Sequence, residues 1–97
     1  MGYANALAPR DLYVNEQGLA VFGTHPKPAG TSSYYWRFFK FNATTPEGKN
    51  MLAVLLMAMD STKKIDLWYV ESTDAGKDET NGATEATLAK ATCISIP

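Results

Sequence analysis

The chain has one cysteine and one histidine among its 97 residues, and each shortage removes a class of chemistry. A lone Cys93 excludes an intrachain disulfide and any thiolate-rich zinc centre. His25 sits in His25-Pro26-Lys27-Pro28 with no second imidazole to share a metal, and it reads as a solvated loop histidine. Ser32, Ser33 and Ser72 have no histidine–acid arrangement around them, and Asp66 and Glu71 lack the pattern of paired glycosidase carboxylates. Asp74, Asp78, Glu79 and Asn81 supply oxygens, yet their spacing misses the EF-hand loop. Nor is there an excess of charge of one sign: nine basic and ten acidic residues leave a net charge of −1, without the basic face a nucleic-acid binder needs. No apolar run approaches the roughly 20 residues that span a bilayer. The sequence therefore predicts a protein that is not an enzyme, with no metal, no cofactor, no nucleic-acid partner and no membrane span.

What is present centres on residues 45–70. Thr45 is placed to cap a helix, Pro46 suits the first helical position, and Glu47 complements the positive end of the dipole. From Met51 to Met59 no polar residue occurs. A helix apolar on all sides is buried on more than one side, so part of it is expected to meet another subunit. The spacing predicts a helix over 46–60, ended near Lys63-Lys64, whose charges suit a helix C-terminus.

Around it the alternation is that of strands. Asp11–Asn15 and Leu19–Phe22 read as a hairpin turned at Glu16-Gln17-Gly18. Tyr34–Asn42 is a long aromatic strand, preceded by a loop rich in Pro, Gly and Ser. Ile65–Val70 alternates with Ile65, Leu67 and Tyr69 on one face and Asp66, Trp68 and Val70 on the other. A polar loop over 71–85 leads to a last strand over 87–96, in which Leu88, Thr92, Ile94 and Ile96 share a side and Cys93 is expected to be a buried structural thiol. Residues 1–10 read as a flexible N-terminus and 11–97 as one domain. The order β-β-β-α-β-β predicts an α+β protein, an OB-fold-like five-stranded antiparallel barrel with one helix. An open sheet with the helix across it is the competing architecture.

The run Thr45–Tyr69 resembles the helix-plus-strand core of the B subunits of bacterial AB-type toxins, of the Shiga-like and subtilase-cytotoxin-like kinds, and small secreted bacterial proteins of unassigned function. The likeness in element order extends from about Asp11 to Pro97. It implies an OB-fold, a pentameric ring lined by the helix, and recognition of a cell-surface glycan or receptor. Those B subunits commonly carry a disulfide, which this chain cannot form, and no glycan-contact motif is carried over.

Within that frame the candidate ligand-binding residues are Trp36, Trp68 and Tyr69, whose rings suit the C–H faces of sugars, with Asp74 and Asn81 to take hydroxyls. Packing in the core or between subunits is the other use of such aromatics. If Met51, Leu52, Leu55 and Met59 pack inward, then Val54, Met57 and Ala58 form the oligomer interface. A homo-oligomer is expected, a pentamer by the resemblance and a dimer on general frequency. A structural or assembly protein without a small ligand is the alternative, and a single-stranded nucleic-acid binder a distant third. The small-residue patterns Ala4-Asn5-Ala6 and Ala6-Leu7-Ala8 suggest a secreted or periplasmic protein whose signal peptide has been removed; the cytoplasm remains open.

Overall fold

Thr45 starts the helix as its sequence dictates: its Oγ1 accepts a hydrogen bond from the Gly48 N–H at 3.0 Å in an extended backbone conformation. In the computed structural model, which describes residues 2–25, 37–70 and 88–97, that helix is α1, Pro46–Asp60. It is preceded by β1 (Gly2–Val14), β2 (Leu19–His25) and β3 (Arg37–Asn42), and followed by β4 (Ile65–Val70) and β5 (Ala89–Ser95). The C-terminus of α1 closes through Lys63 N–H to Ala58 C=O at 2.8 Å and Thr62 N–H to Met59 C=O at 3.3 Å, with Thr62 left-handed at φ 55°. This is a Schellman closure with threonine where glycine is usual. Lys63 and Lys64 lie beyond the helix, so the last turn of α1 has no basic residue to complement its dipole.

The strands form one mixed sheet that closes into a ring in the order β1-β2-β3-β5-β4, with β4 returning to β1. Two features differ from the sequence expectation. First, residues 2–10 are not a flexible N-terminus but part of β1, which runs for 13 residues. Its first half pairs with β4 (Gly2↔Tyr69 to Leu7↔Ile65) and its second with β2 (Ala8↔His25 to Val14↔Ala20). Irregularities between Ala4 and Leu7 and between Arg10 and Tyr13 coincide with Ala6 at φ 58° and Asp11 at φ 54°. Such bulges bend a strand and increase its twist, which lets one strand serve both neighbours. Second, the sheet is not antiparallel throughout: β3 and β5 run parallel and, among the described residues, pair at Phe39↔Ala89 and Lys40↔Lys90.

The hairpin turn is held by Asn15, whose Oδ1 accepts from the N–H groups of Gln17 and Leu19, both at 3.0 Å. Gly18 supplies the positive φ of 84° that this turn requires.

Inside the ring, Leu7, Phe22, Phe39, Ile65 and Leu67 are fully buried, and α1 covers the core with Leu55 and Ala58. Ring centroids of Phe22 and Phe39 lie 5.9 Å apart and those of Phe39 and Tyr69 5.1 Å apart, a tilted aromatic stack across three strands. Each such side chain contributes about 1.5–3 kcal/mol by leaving water.

The helix faces are distributed differently from the expectation. Leu55 is buried, with Met51, Leu52 and Met59 half-buried against the core, as expected. Ala58, assigned to an oligomer interface, is instead fully buried within the chain, and Val54 is half-buried. Helical geometry explains this: Gly48, Leu55 and Ala58 recur on one face at spacings that are sums of three- and four-residue steps. Of the three interface candidates only Met57 stands free, 65% exposed, beside Leu56 at 49%. Cys93, expected to be buried, is exposed. A shift of register between Trp68↔Cys93 and Tyr69↔Ala91 leaves Thr92 as an extra residue, so Thr92 is exposed rather than inward.

Candidate ligand-binding face

Strand β4 alternates strictly: Ile65, Leu67 and Tyr69 point into the ring, so Asp66, Trp68 and Val70 point out. The pairing registers then decide what stands beside them. Tyr3 of β1 and Cys93 of β5 lie opposite Trp68 on its two sides, Lys90 lies opposite Val70, and Ser95 opposite Asp66. Trp68 is thus the centre of a three-strand outer face.

The rings of Tyr3 and Trp68 touch, with centroids 4.7 Å apart and an interplanar angle of 49°. At that separation nothing fits between them, and the pair presents one continuous apolar surface. Tyr3 is 51% exposed and Val70 43%, while Trp68 is half-buried. At the edge of the rings Asp66 accepts from the Tyr3 hydroxyl (Oδ2, 3.3 Å) and from the Ala6 N–H (Oδ1, 3.3 Å). The second bond ties the carboxylate to the β1 bulge. Desolvation, the Asp66 charge and the hydrogen bond to it together raise the Tyr3 hydroxyl above its ordinary pKa of 10.0, so it stays a protonated donor. Both carboxylate oxygens are therefore oriented, and each keeps lone-pair capacity for a further donor.

A second concavity lies between α1 and β5, where β3 parts from β5 while staying paired with β2. A cleft of about 350 Å³ is lined by Phe41, Thr45, Glu47, Met51, Lys90 and Thr92. A shallower one of about 290 Å³ continues it past Val54 to Cys93 and Ile94. Val54 therefore faces this groove.

Of the five ligand-binding candidates, Trp68 is on the outer face. Tyr69 is not: it is 7% exposed, packs on Phe39 inside the ring, and belongs to the core. The alternation of β4 places the two neighbours on opposite sides, so both cannot contact one ligand. Trp36, Asp74 and Asn81 lie outside the described residues. Sequence reasoning missed Tyr3 and the role of Asp66. The alternation of Tyr3 with Ala4 was a usable signal, but it was masked by the small residues around it. Among the described residues no three His, Cys, Asp or Glu side chains gather as metal ligands. No described helix is long and apolar enough to cross a membrane.

No protein-family model matches this chain, no curated protein does, and no solved structure does.

Proposed function

We propose that this protein is a non-catalytic, self-associating binding module whose ligand is a glycan, held on the Tyr3–Trp68–Asp66 face. The observation that carries this reading is the contact of two outward-facing rings with a hydrogen-bonded carboxylate at their edge. A sugar ring has an apolar C–H face that lies on aromatic surface, and equatorial or axial hydroxyls that donate to an acceptor at its rim. The 4.7 Å ring separation favours a ligand lying over the pair; a cation gripped between two rings needs them further apart. Asp66 is the charged group at the edge of the two rings, with Lys90 farther along the face opposite Val70, so the sugar lying on the rings is expected to be neutral where it meets Asp66.

The strand order, ring closure and single helix between β3 and β4 support an OB-type barrel as the finer description of the fold. With it, the resemblance to toxin B subunits supports a secreted or periplasmic protein acting on a cell-surface glycan or receptor. The assembly reading, in which the specific surface serves only other copies, is supported by the exposure of Leu56 and Met57 on α1.

A glycan array with the purified protein tests the proposal, followed by titration of each hit into the parent and into Trp68→Ala. Galactosylated, uncharged glycans are expected to bind, and Trp68→Ala to weaken them at least tenfold. A blank array defeats the glycan reading and leaves assembly. Sialylated hits that survive loss of Trp68 defeat the assignment of this face.

A further inference from the structure

We propose that the outward face of α1 is a self-complementary surface that pairs two copies of the chain antiparallel about a two-fold axis. The proposal rests on the self-association in the preceding reading and adds the surface, the symmetry and the charges that set it.

Lys49, Ala53, Leu56 and Asp60 are all exposed and recur at steps of four, three and four residues. At 100° per residue they fall within about 60° of the helix circumference, a single row on the side away from Leu55 and Ala58. The centre of the row is apolar, with Leu56 49% exposed and Met57 beside it, and Ala53 is small enough to let a second helix come close. Its ends are charged, Lys49 near the N-terminus and Asp60 at the C-terminus.

Those charges stand against the helix dipole, which favours acids at the start and bases at the end. Within the chain neither end of the row therefore gains from its position. Antiparallel pairing changes this. A two-fold axis passing between Val54 and Leu55 sets Ala53 against Leu56 of the second copy, and Lys49 against Asp60 of the second copy at both ends. Parallel pairing in register would set Lys49 against Lys49 and Asp60 against Asp60. The charge pattern thus selects the second copy, its direction and its register. An isologous contact of this kind closes at two copies, whereas a five-fold ring needs a heterologous one. A 15-residue helix is about 22 Å long. One helix pair buries less than the roughly 1,000 Å² of a stable interface, so the dimer dissociates on dilution.

Sedimentation equilibrium over a concentration series tests the proposal on four samples: the parent chain, Lys49→Glu, Asp60→Lys, and an equimolar mixture of the two variants. Each substitution improves the fit to the helix dipole, so neither should unfold the monomer, and circular dichroism checks this. A reversible monomer–dimer equilibrium is expected for the parent, weakened about tenfold in each variant, where both ends become repulsive. The mixture should recover parent-like association. In a mixed pair the glutamate introduced by Lys49→Glu faces the lysine introduced by Asp60→Lys, and at the other end the unaltered Lys49 and Asp60 still meet. A parent chain that stays monomeric at hundreds of micromolar overturns both this proposal and self-association. Oligomers that ignore the reversals, or single variants that weaken without recovery on mixing, overturn this face alone.

Discussion

Gly48 shows how one side chain's absence sets the position of an element. A Cβ built on it would lie 1.7 Å from the Asn42 carbonyl oxygen and 3.1 Å from the Ala43 Cα. Both are backbone atoms, so no rotamer change relieves the clash. The first turn of α1 can approach the end of β3 this closely only with glycine there. In an open helix, alanine in place of glycine would stabilise by about 1 kcal/mol. Here we expect Gly48→Ala to destabilise by about 3 kcal/mol, since the helix must lift from the sheet and part the Leu55 contact. Urea denaturation measures it, and a midpoint equal to or above the parent's would show that the approach is looser than described. The composition indicated a helix across this position but not why glycine occupies it, because the atoms it avoids belong to the preceding strand.

Between elements, the backbone ladder of β1 and β4 is supplemented by one side-chain bond that depends on the protonation of Tyr3. The Tyr3 hydroxyl donates to Asp66, and desolvation of the group, the adjacent carboxylate charge and that bond all favour its neutral form. A group whose folded pKa is raised contributes stability that is fully present below the unfolded value. That contribution is lost as pH rises through the folded value, here above 10.0. We expect Trp68 emission to be constant from neutrality to about pH 10 and to change above it as tyrosinate and carboxylate repel. Tyr3→Phe should abolish that step and leave any change due to other groups. An identical alkaline transition in Tyr3→Phe would mean that Tyr3 does not couple β1 to Trp68.

At the scale of the whole molecule, the ring has one weak seam. Among the described residues, β2 and β3 share six residue pairs, whereas β3 and β5 share two. Beyond Lys90 the two strands part, and the groove beneath α1 opens between them. Local opening begins where fewest bonds must break together. Amide hydrogen exchange should therefore be faster for β5 protons directed at β3 than for those in the β1–β2 and β2–β3 ladders. Uniform protection around the ring would show that it opens only by global unfolding. The seam also matters for the binding face: β5, which supplies Cys93 and Lys90 on one flank of Trp68, has the seam at its far edge, while β1, which supplies Tyr3, is held at its far edge by β2.

Much of α1 and β4 was legible along the chain because their signals are local. A cap and the N–H it satisfies are three residues apart, Thr45 to Gly48, and the inward and outward sets of β4 alternate at every step. Helix bounds at Pro46 and Asp60 and the outward position of Trp68 follow from spacings of that order. The rest depends on which distant segments meet. Tyr3 and Asp66 are 63 positions apart, and nothing in the alanine-rich start of the chain indicates that it will lie along β4. The bulges at Ala6 and Asp11 arise where β1 must turn from one neighbour to the other, and the extra residue at Thr92 changes the phase of β5, so that Ala89 and Ala91 face inward before it while Ile94 faces inward after it. Ala58 went to the core because α1 lies on the sheet along its Gly48, Leu55 and Ala58 face, Tyr69 because β4 turns that side of its alternation into the ring, and Cys93 to the surface because it pairs with the outward Trp68. Local chemistry could decide each element's shape and its two faces, but which face meets which partner is a property of the closed sheet.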